Sequence, residues 1–229
     1  MPNYVAHEGF GQRVLEQLPQ EMSHAAAREE EAFRSGLYGP DPLFFMPGCG
    51  EKAKYLHRTW RAQTAPILQE MIACGDAAQC SFAAGYLCHM VLDDRCHGEI
   101  YRWMAEQGLS HRALEVGLDW VLLRRRGQLR FPVPYIQARE RISRVAAPIL
   151  TPATAKEYQH GLGVMGLLCR QMTTVGKLYR KRLKLSYAEP LSTLLWMLED
   201  TVQEAAMLIS LYHSGDMQPT GEILAASGY

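Results

Sequence analysis

The sequence GYLCHMVLDDRCH, residues 85–97, decides how the rest of the chain is interpreted. Its ionisable residues His89, Asp93 and His97 are spaced four apart, and side chains with that spacing lie along one stripe of an α-helix. The neighbouring stripes carry apolar residues such as Leu92, so the ionisable stripe does not resemble a solvated helix face. The pattern predicts a buried helix with a row of ionisable side chains.

A buried row of this kind needs a partner for every polar group. Leaving one group unsatisfied costs about 1–3 kcal/mol, and a metal ion bound by His89, Asp93 and His97 would satisfy all three side chains at once. We prefer this interpretation. A polar stripe that is hydrogen-bonded within the protein and holds no metal is the alternative that the stretch by itself leaves open.

Helical periodicity extends outward from this stretch in both directions. Apolar residues recur at spacings of three and four in almost every segment, whereas the alternation typical of strands does not recur. The sequence therefore predicts an all-α fold. The predicted helices run from after His7 to Pro19, and over 21–34, 51–73 with a kink at Pro66, 77–105, 111–125, 135–147, 152–179 with a break near 161–166, and 190–212.

Residues 36–50 interrupt the helical pattern with three prolines and four glycines. This composition predicts an ordered loop without a helix. Three aromatic residues stand beside the acidic residue Asp41 in the loop. They either line a substrate cleft or pack the loop on the core, and they are Tyr38, Phe44 and Phe45.

The 229 residues are expected to form one domain, because no repeat, low-complexity block or linker divides them. We predict a multi-helix bundle around a multinuclear metal cluster. The metal ligands are expected within residues 1–125, the helices that complete the bundle within 131–213, and a frayed tail over 214–229. A content of 48% hydrophobic and 21% charged residues is sufficient for a sizeable core.

The composition also narrows the classes of partner. Lys and Arg number 24 and Asp and Glu number 24, so the formal charge is zero. This balance argues against nucleic acid as a partner without excluding it.

The chain has no apolar run long enough for a transmembrane segment and no signal-peptide pattern, so a cytoplasmic location is predicted. The six cysteines form no C-x-x-C pair and are expected to be free, mostly buried thiols.

Further candidate ligands lie on both sides of the central stretch. Downstream, His111 and Glu115 have the four-residue spacing at which two side chains of a helix reach one metal ion, although alone they fit an exposed pair more simply. Upstream are His57 on its helix, Asp41 in the loop and His7 just before the first helix. The other histidines are interpreted as surface or satisfied residues; they are His24, His160 and His213.

Imidazole and carboxylate ligands without thiolate are typical of catalytic zinc sites, although iron or manganese also accepts such ligands. Eight ligands are too many for one ion, so two or three ions are predicted. Three Zn²⁺ would bring a charge of +6 against −3 from Asp41, Asp93 and Glu115. Such a site attracts phosphate and lowers the pKa of a bound water towards ~7.

The chain resembles the zinc-dependent phospholipase C and S1/P1 nuclease superfamily, whose members are all-α phosphoesterases with a trinuclear metal cluster. The resemblance covers roughly half of the chain, with the ligands in the family's order. It rests on His7, on Gly-Pro-Asp41-Pro, on His57, on the H-x-x-x-D-x-x-x-H pattern of 89–97 and on the H-x-x-x-E pattern of 111–115.

The resemblance implies a role for each ligand. One ion would be held by Asp41, His57, His89 and Asp93, a second by His97, His111 and Glu115, and a third by Asp93 with His7. Asp41 would also be the base that assists the attacking water.

The activity implied is that of a phospholipase C-like hydrolase. A metal-bridging hydroxide would attack a phosphodiester or phosphomonoester, and the substrate would be a small molecule or resemble a lipid headgroup. Two alternatives stay open, because the ligand set does not separate them. The same cluster would serve an iron-dependent oxidation, or the protein would bind metal without turnover.

Two basic clusters, 124–130 and 177–184, lie at predicted helix ends. Cations at the end of a helix complement its dipole, and this is the simpler interpretation of both clusters. Contact with a phosphate or a phospholipid is the alternative.

Overall fold

The computed structural model describes residues 4–127, 138–182 and 187–215, and it describes their side chains except over 169–182. Over these ranges the chain is helical and contains no strand, so the prediction of an all-α fold is confirmed. The α-helices are α1 (Tyr4–Gln17), α2 (Gln20–Arg28), α3 (Glu30–Gly36), α4 (Gly50–Thr59), α5 (Ala65–Cys74), α6 (Ala77–Gln107), α7 (His111–Arg125), α8 (Arg139–Ala146), α9 (Ala155–Arg182), α10 (Ala188–Asp200) and α11 (Val202–Ser214).

Helix α6 is the centre of the bundle. It begins at a capping box, in which Asp76 and Gln79 each accept a hydrogen bond from the backbone N–H of the other. It ends at Gly108, whose φ of +63° is a left-handed conformation that glycine adopts without a steric penalty. Every residue from 81 to 93 is buried, so other elements surround this part of the helix.

Helix α3 crosses α6 at two glycines, Gly36 and Gly85. A Cβ atom at Gly36 would overlap the carbonyl oxygen of Phe82, and one at Gly85 would overlap the carbonyl oxygen of Phe33. The two backbones are therefore closer than any larger residue would allow. This crossing places Leu37, the residue that follows α3, against the middle of α6.

Several predicted helix boundaries are wrong. The helix predicted over 21–34 is divided at Glu29, where the chain turns before α3 packs on α6, and the helix predicted over 190–212 is divided at Thr201. The helix predicted over 51–73 is interrupted by a π-helical turn, Trp60–Thr64. Pro66 lies in the first turn of α5, directly after this π-helical turn, where its missing backbone N–H is tolerated. The kink predicted at Pro66 stays a prediction.

Two predictions about the loop and α9 are also wrong. The loop predicted over 36–50 contains a 3-10 helix, Asp41–Phe45, which tolerates Pro42 in its first turn. The helix predicted from 152 begins at Ala155 and continues through 161–166 without a break. Gly161 is needed for a close approach, because a Cβ atom there would overlap the carbonyl oxygen of Pro42.

The described helices share one cluster of buried apolar residues, to which α1, α6, α9 and α11 all contribute. The prediction of a single domain is consistent with this cluster and stays a prediction. Some predicted features lie wholly or partly outside the described residues. They are the segment 127–134 between the helices predicted over 111–125 and 135–147, the start of the helix predicted at 135, the basic clusters 124–130 and 177–184, Cys169 and the tail 214–229.

The described side chains test three further predictions. Cys49, Cys74, Cys80, Cys88 and Cys96 are free, and three of them are buried. The histidines that were interpreted as non-ligands, at 24, 160 and 213, are exposed. No helix within the described ranges combines the length and the apolar character that crossing a bilayer requires.

Replacing Gly85 by Ala is expected to lower the free energy of unfolding by about 1–3 kcal/mol, because the added methyl group would overlap the Phe33 carbonyl oxygen. Urea unfolding measures the difference. Gly50→Ala is the matched control, since a Cβ atom there would have no neighbour within 4 Å. Equal stabilities for the two variants would contradict the close crossing of α3 and α6.

Candidate metal centre

The eight predicted ligands meet where α1, α4, α6, α7 and the 3-10 helix converge. Their ligand atoms fall into three groups, and within each group all atoms lie within 4.8 Å of one another. The groups are His7, His89 and Asp93; Asp41, His57 and His89; and His97, His111 and Glu115.

The carboxylate of Asp93 lies at the centre of the cluster. Its oxygens are 3.3 Å from Nε2 of His7 and 3.4 Å from Nε2 of both His57 and His89. His97, one turn further along α6, places Nδ1 3.6 Å away. Burial raises the pKa of Asp93, but these imidazoles outweigh burial and hold the pKa well below its usual value. Four histidines therefore stabilise one buried negative charge.

The third group joins α6 to α7. Nε2 of His111 is 2.9 Å from Oε1 of Glu115, and Nε2 of His97 is 3.6 Å from the same oxygen. Burial raises the pKa of Glu115, but its hydrogen bonds with the two imidazoles lower the value to about 2. Burial lowers the pKa of His97, but Asp93 and Glu115 raise it to about 9.

Backbone carbonyl groups orient three of the imidazoles. A ring nitrogen that faces a carbonyl oxygen carries the hydrogen, so the other nitrogen directs its lone pair into the site. Metal-binding histidines in proteins commonly have this arrangement. The Nδ1 atoms and their acceptors are His89 with Leu37 at 3.1 Å, His57 with Ala53 at 2.8 Å, and His97 with Asp93 at 3.1 Å.

His89 belongs to two of the groups, but it can serve only one ion. Because Nδ1 donates to Leu37, a single lone pair remains on Nε2. That atom lies 3.3 Å from Nε2 of His57, which belongs to the group that contains Asp41, and 3.4 Å from the Asp93 carboxylate.

The surroundings of His57 and His7 shift the pKa values of these two histidines in opposite directions. Burial lowers the pKa of His57, but Asp41 and Asp93 outweigh burial and raise the pKa well above its usual value. His7 differs, because burial and the charge of His89 lower its pKa. Its buried Nδ1 has no hydrogen-bond partner among the described residues. A buried imidazole nitrogen without a hydrogen-bond partner, together with the imidazole and carboxylate donors of the cluster, fits a site for zinc.

The sequence model of the family described as zinc-dependent phospholipase C matches residues 6–167. The match covers more than two thirds of the chain and includes all eight predicted ligands. The chain belongs to the zinc-dependent phospholipase C family. Membership confirms the resemblance found in the sequence and suggests a metal-dependent phosphodiesterase activity. No curated protein and no solved structure matches the chain.

The loop that carries Asp41 is held from two sides. Gly39, with φ of +50°, packs so closely on the ring of His89 that a side chain would overlap it. On the other side, the hydroxyl of Tyr158 in α9 donates a hydrogen bond of 2.9 Å to the Gly39 carbonyl. Sequence analysis missed Tyr158, because its partner is 119 positions away and no local pattern marks such a pair.

The three loop aromatics divide between a cavity and the core, and a role of the cavity as a substrate cleft stays a prediction. Phe44 and Phe45 line a cavity above the cluster. Tyr38 is buried and packs edge-on against Tyr4, with ring centroids 5.7 Å apart. The loop therefore contributes side chains both to the cavity and to the core.

Asp119 is a buried acidic residue that sequence analysis missed. It follows Glu115 by one turn of α7, and its Oδ1 accepts a hydrogen bond of 2.9 Å from the N–H of Ala6 in the first turn of α1. His7 consequently lies inside α1, and the prediction that it precedes the first helix is wrong. Burial raises the pKa of Asp119 well above its usual value. The four-residue spacing from Glu115 was the available signal.

Asp93→Asn is expected to lose at least one metal ion, because the amide keeps the shape of the side chain but removes the charge that faces four imidazoles. Elemental analysis after dialysis measures the loss. Asp94→Asn is the control, since Asp94 accepts a hydrogen bond of 3.0 Å from Trp60 and pairs with Arg61 at 2.8 Å. Equal metal content in the two variants would contradict the assignment of Asp93.

Asp119→Ala is expected to lower the free energy of unfolding by about 1–3 kcal/mol, because the N–H of Ala6 loses its buried acceptor. Asp119→Asn should lose much less, since the amide oxygen still accepts this bond. Urea unfolding of the metal-free proteins separates the effect from metal binding. If Asp119→Ala has the stability of the unchanged chain, Asp119 does not hold the start of α1.

Proposed function

We propose that this protein is a zinc-dependent phosphoesterase that hydrolyses a small phosphodiester or phosphomonoester. The observation that carries the proposal is that the ligand groups meet at Asp93 and open into one cavity. This cavity has a volume of about 710 Å³, within the range of small-molecule sites, and seven of the eight predicted ligands line it. Family membership supplies the class of reaction.

The proposed ligand sets are those that the family resemblance implies, and the distances around Asp93 support them. The single lone pair of His89 favours its use in the first set, where His57 and Asp41 are its neighbours. When bound, zinc would lower the pKa of a coordinated water and stabilise negative charge on the phosphoryl oxygens. The sets are Asp41, His57, His89 and Asp93 for one ion, His97, His111 and Glu115 for a second, and Asp93 with His7 for a third.

Asp41 is the proposed general base. It is buried at the base of the cavity, and its Oδ1 lies 3.3 Å from Nε2 of His57. Pro40 and Pro42 restrict the backbone on both sides of it, and Tyr158 holds the loop from α9. A carboxylate fixed in this way is suited to orient a water molecule and to accept its proton.

The number of ions, their identity and a cytoplasmic location stay predictions. The donor atoms accept iron or manganese as well as zinc. Elemental analysis of the purified protein, followed by a panel of phosphodiesters and phosphomonoesters, tests the proposal directly. Zinc with turnover is the expected result. Iron with an oxidase activity would favour an iron-dependent oxidation, and zinc without turnover would indicate a metal-binding protein.

Asp41→Asn separates catalysis from metal binding. We expect kcat to fall by about 10²–10⁴-fold, the range for loss of a general base, while most of the metal remains bound. Turnover and metal content are measured on the same sample. Asp76→Asn is the matched control, because Asp76 caps the far end of α6 and Asn caps helices equally well. Full activity with full metal content in Asp41→Asn would leave the mechanism without its base.

A further inference from the structure

The rim of the cavity carries positive charge beyond the proposed metal ligands. Lys54 and Arg58 lie one turn apart on α4, and Arg112 lies on α7. All three are exposed residues that line the cavity. Among the described residues of the lining, the only carboxylates are three proposed ligands, which are Asp41, Asp93 and Glu115.

The helix dipole does not explain the position of Arg112. It is the second residue of α7, where a cation opposes the positive end of the helix dipole and no acidic residue lies in the first turn. Arg58 lies in the last turn of α4, where a cation is favourable, and it forms no salt bridge within the described part of the chain. Lys54 instead pairs with Glu51 at 2.6 Å. The two arginines therefore bring positive charge to the cavity from different helices.

Two exposed aromatic rings border the same cavity. Phe44 stacks on His57 and Tyr101 stacks on His97, each with ring centroids 5.7 Å apart. Each ring rests on a proposed ligand of a different ion. Exposed rings beside a concave polar site are typical of ligand binding. They would provide an apolar surface for the organic part of a substrate.

We propose that the site selects a phosphoester that carries a second negatively charged group, a phosphate or a carboxylate, near the phosphate that is hydrolysed. This inference rests on the proposed function and adds the class of substrate. The guanidinium groups of Arg58 and Arg112 are suited to the second anion, because they donate paired hydrogen bonds to phosphate and carboxylate oxygens.

The same charges act against a substrate with an ammonium headgroup. Aromatic rings attract ammonium ions, but here the rings share the cavity with two arginines. Every described carboxylate of the lining belongs to a proposed metal set, so none is left to pair with an ammonium group. Repulsion between like charges then selects against this headgroup.

The test compares three phosphate monoesters that differ in the group beyond the phosphate. Phosphoglycolate ends in a carboxylate, ethyl phosphate in a methyl group and phosphoethanolamine in an ammonium group. Calorimetry with the zinc-loaded protein measures their binding without requiring turnover. We expect phosphoglycolate to bind about tenfold more tightly than ethyl phosphate, and phosphoethanolamine to bind most weakly. Equal affinities or the reverse order would overturn the inference.

Arg58→Gln identifies the source of the preference. It is expected to remove most of the advantage of phosphoglycolate over ethyl phosphate without changing the zinc content. Arg144→Gln is the control, because Arg144 is 71% exposed on α8 and does not line the cavity. If the advantage persists in Arg58→Gln and in Arg112→Gln, the carboxylate binds the metal ions instead of the rim, and the inference is wrong.

The two proposals fail in different ways. If no ester of the panel is hydrolysed but the order of affinities holds, the phosphoesterase function is wrong. The preference of the site for a second negatively charged group is then supported. If esters are hydrolysed but the order of affinities is absent, the phosphoesterase function is supported and the preference for a second negatively charged group is wrong.

Discussion

The contact between the Asp93 carboxylate and the surrounding imidazoles is the constraint on which the rest of the structure depends. A buried charge without compensation costs several kcal/mol, so Asp93 is tolerated only where opposite charges or metal ions surround it. His7, His57, His89 and His97 meet this requirement, and they come from α1, α4 and α6. Assembly of the site consequently requires that these three helices pack together. Metal bound by these side chains would then contribute to the stability of the whole bundle.

The segment after α3, residues 37–41, connects the packed core to the site. Within five residues it supplies the Leu37 carbonyl that orients His89 and the side chain of Asp41. Its position is set on one side by the crossing of α3 with α6 and on the other by Tyr158 of α9. A change in the core that displaces this segment therefore moves a proposed base and a proposed ligand together, although neither residue is itself altered.

Local patterns predicted the parts of the site that lie on single helices. The four-residue spacings in 85–97 and 111–115 indicated which side chains share a helix face. The helices predicted over 77–105 and 111–125 correspond to α6 and α7, and Oγ of Ser110 caps α7 by accepting a hydrogen bond of 3.4 Å from the N–H of Ala113. The family resemblance, which the family match confirms, implied how these ligands and the upstream candidates are divided among the ions.

These local patterns did not predict contacts between distant segments of the chain. His89 meets the Leu37 carbonyl across 52 positions, and Ala6 meets Asp119 across 113 positions. Periodicity indicates which face of a helix is buried, but it does not indicate which backbone oxygen that face will meet. The division at Glu29 has the same origin, because it serves the packing of α3 on α6 and no proline or glycine marks it. The arrangement of groups around the ligands therefore became visible only in the folded chain.

The exposure of the histidines changes steeply along the cluster, from 0% for the side chain of His89 to 29% for that of His111. An ion held by His97, His111 and Glu115 would face the solvent, where a chelator reaches it directly. An ion beside His89 would be held by side chains that are at most 19% exposed, so a chelator would reach it less easily. One position would then exchange quickly and the other would retain its ion for much longer. As the supply of zinc falls, the outer position would empty first, and the occupied inner position would preserve the fold until zinc returned.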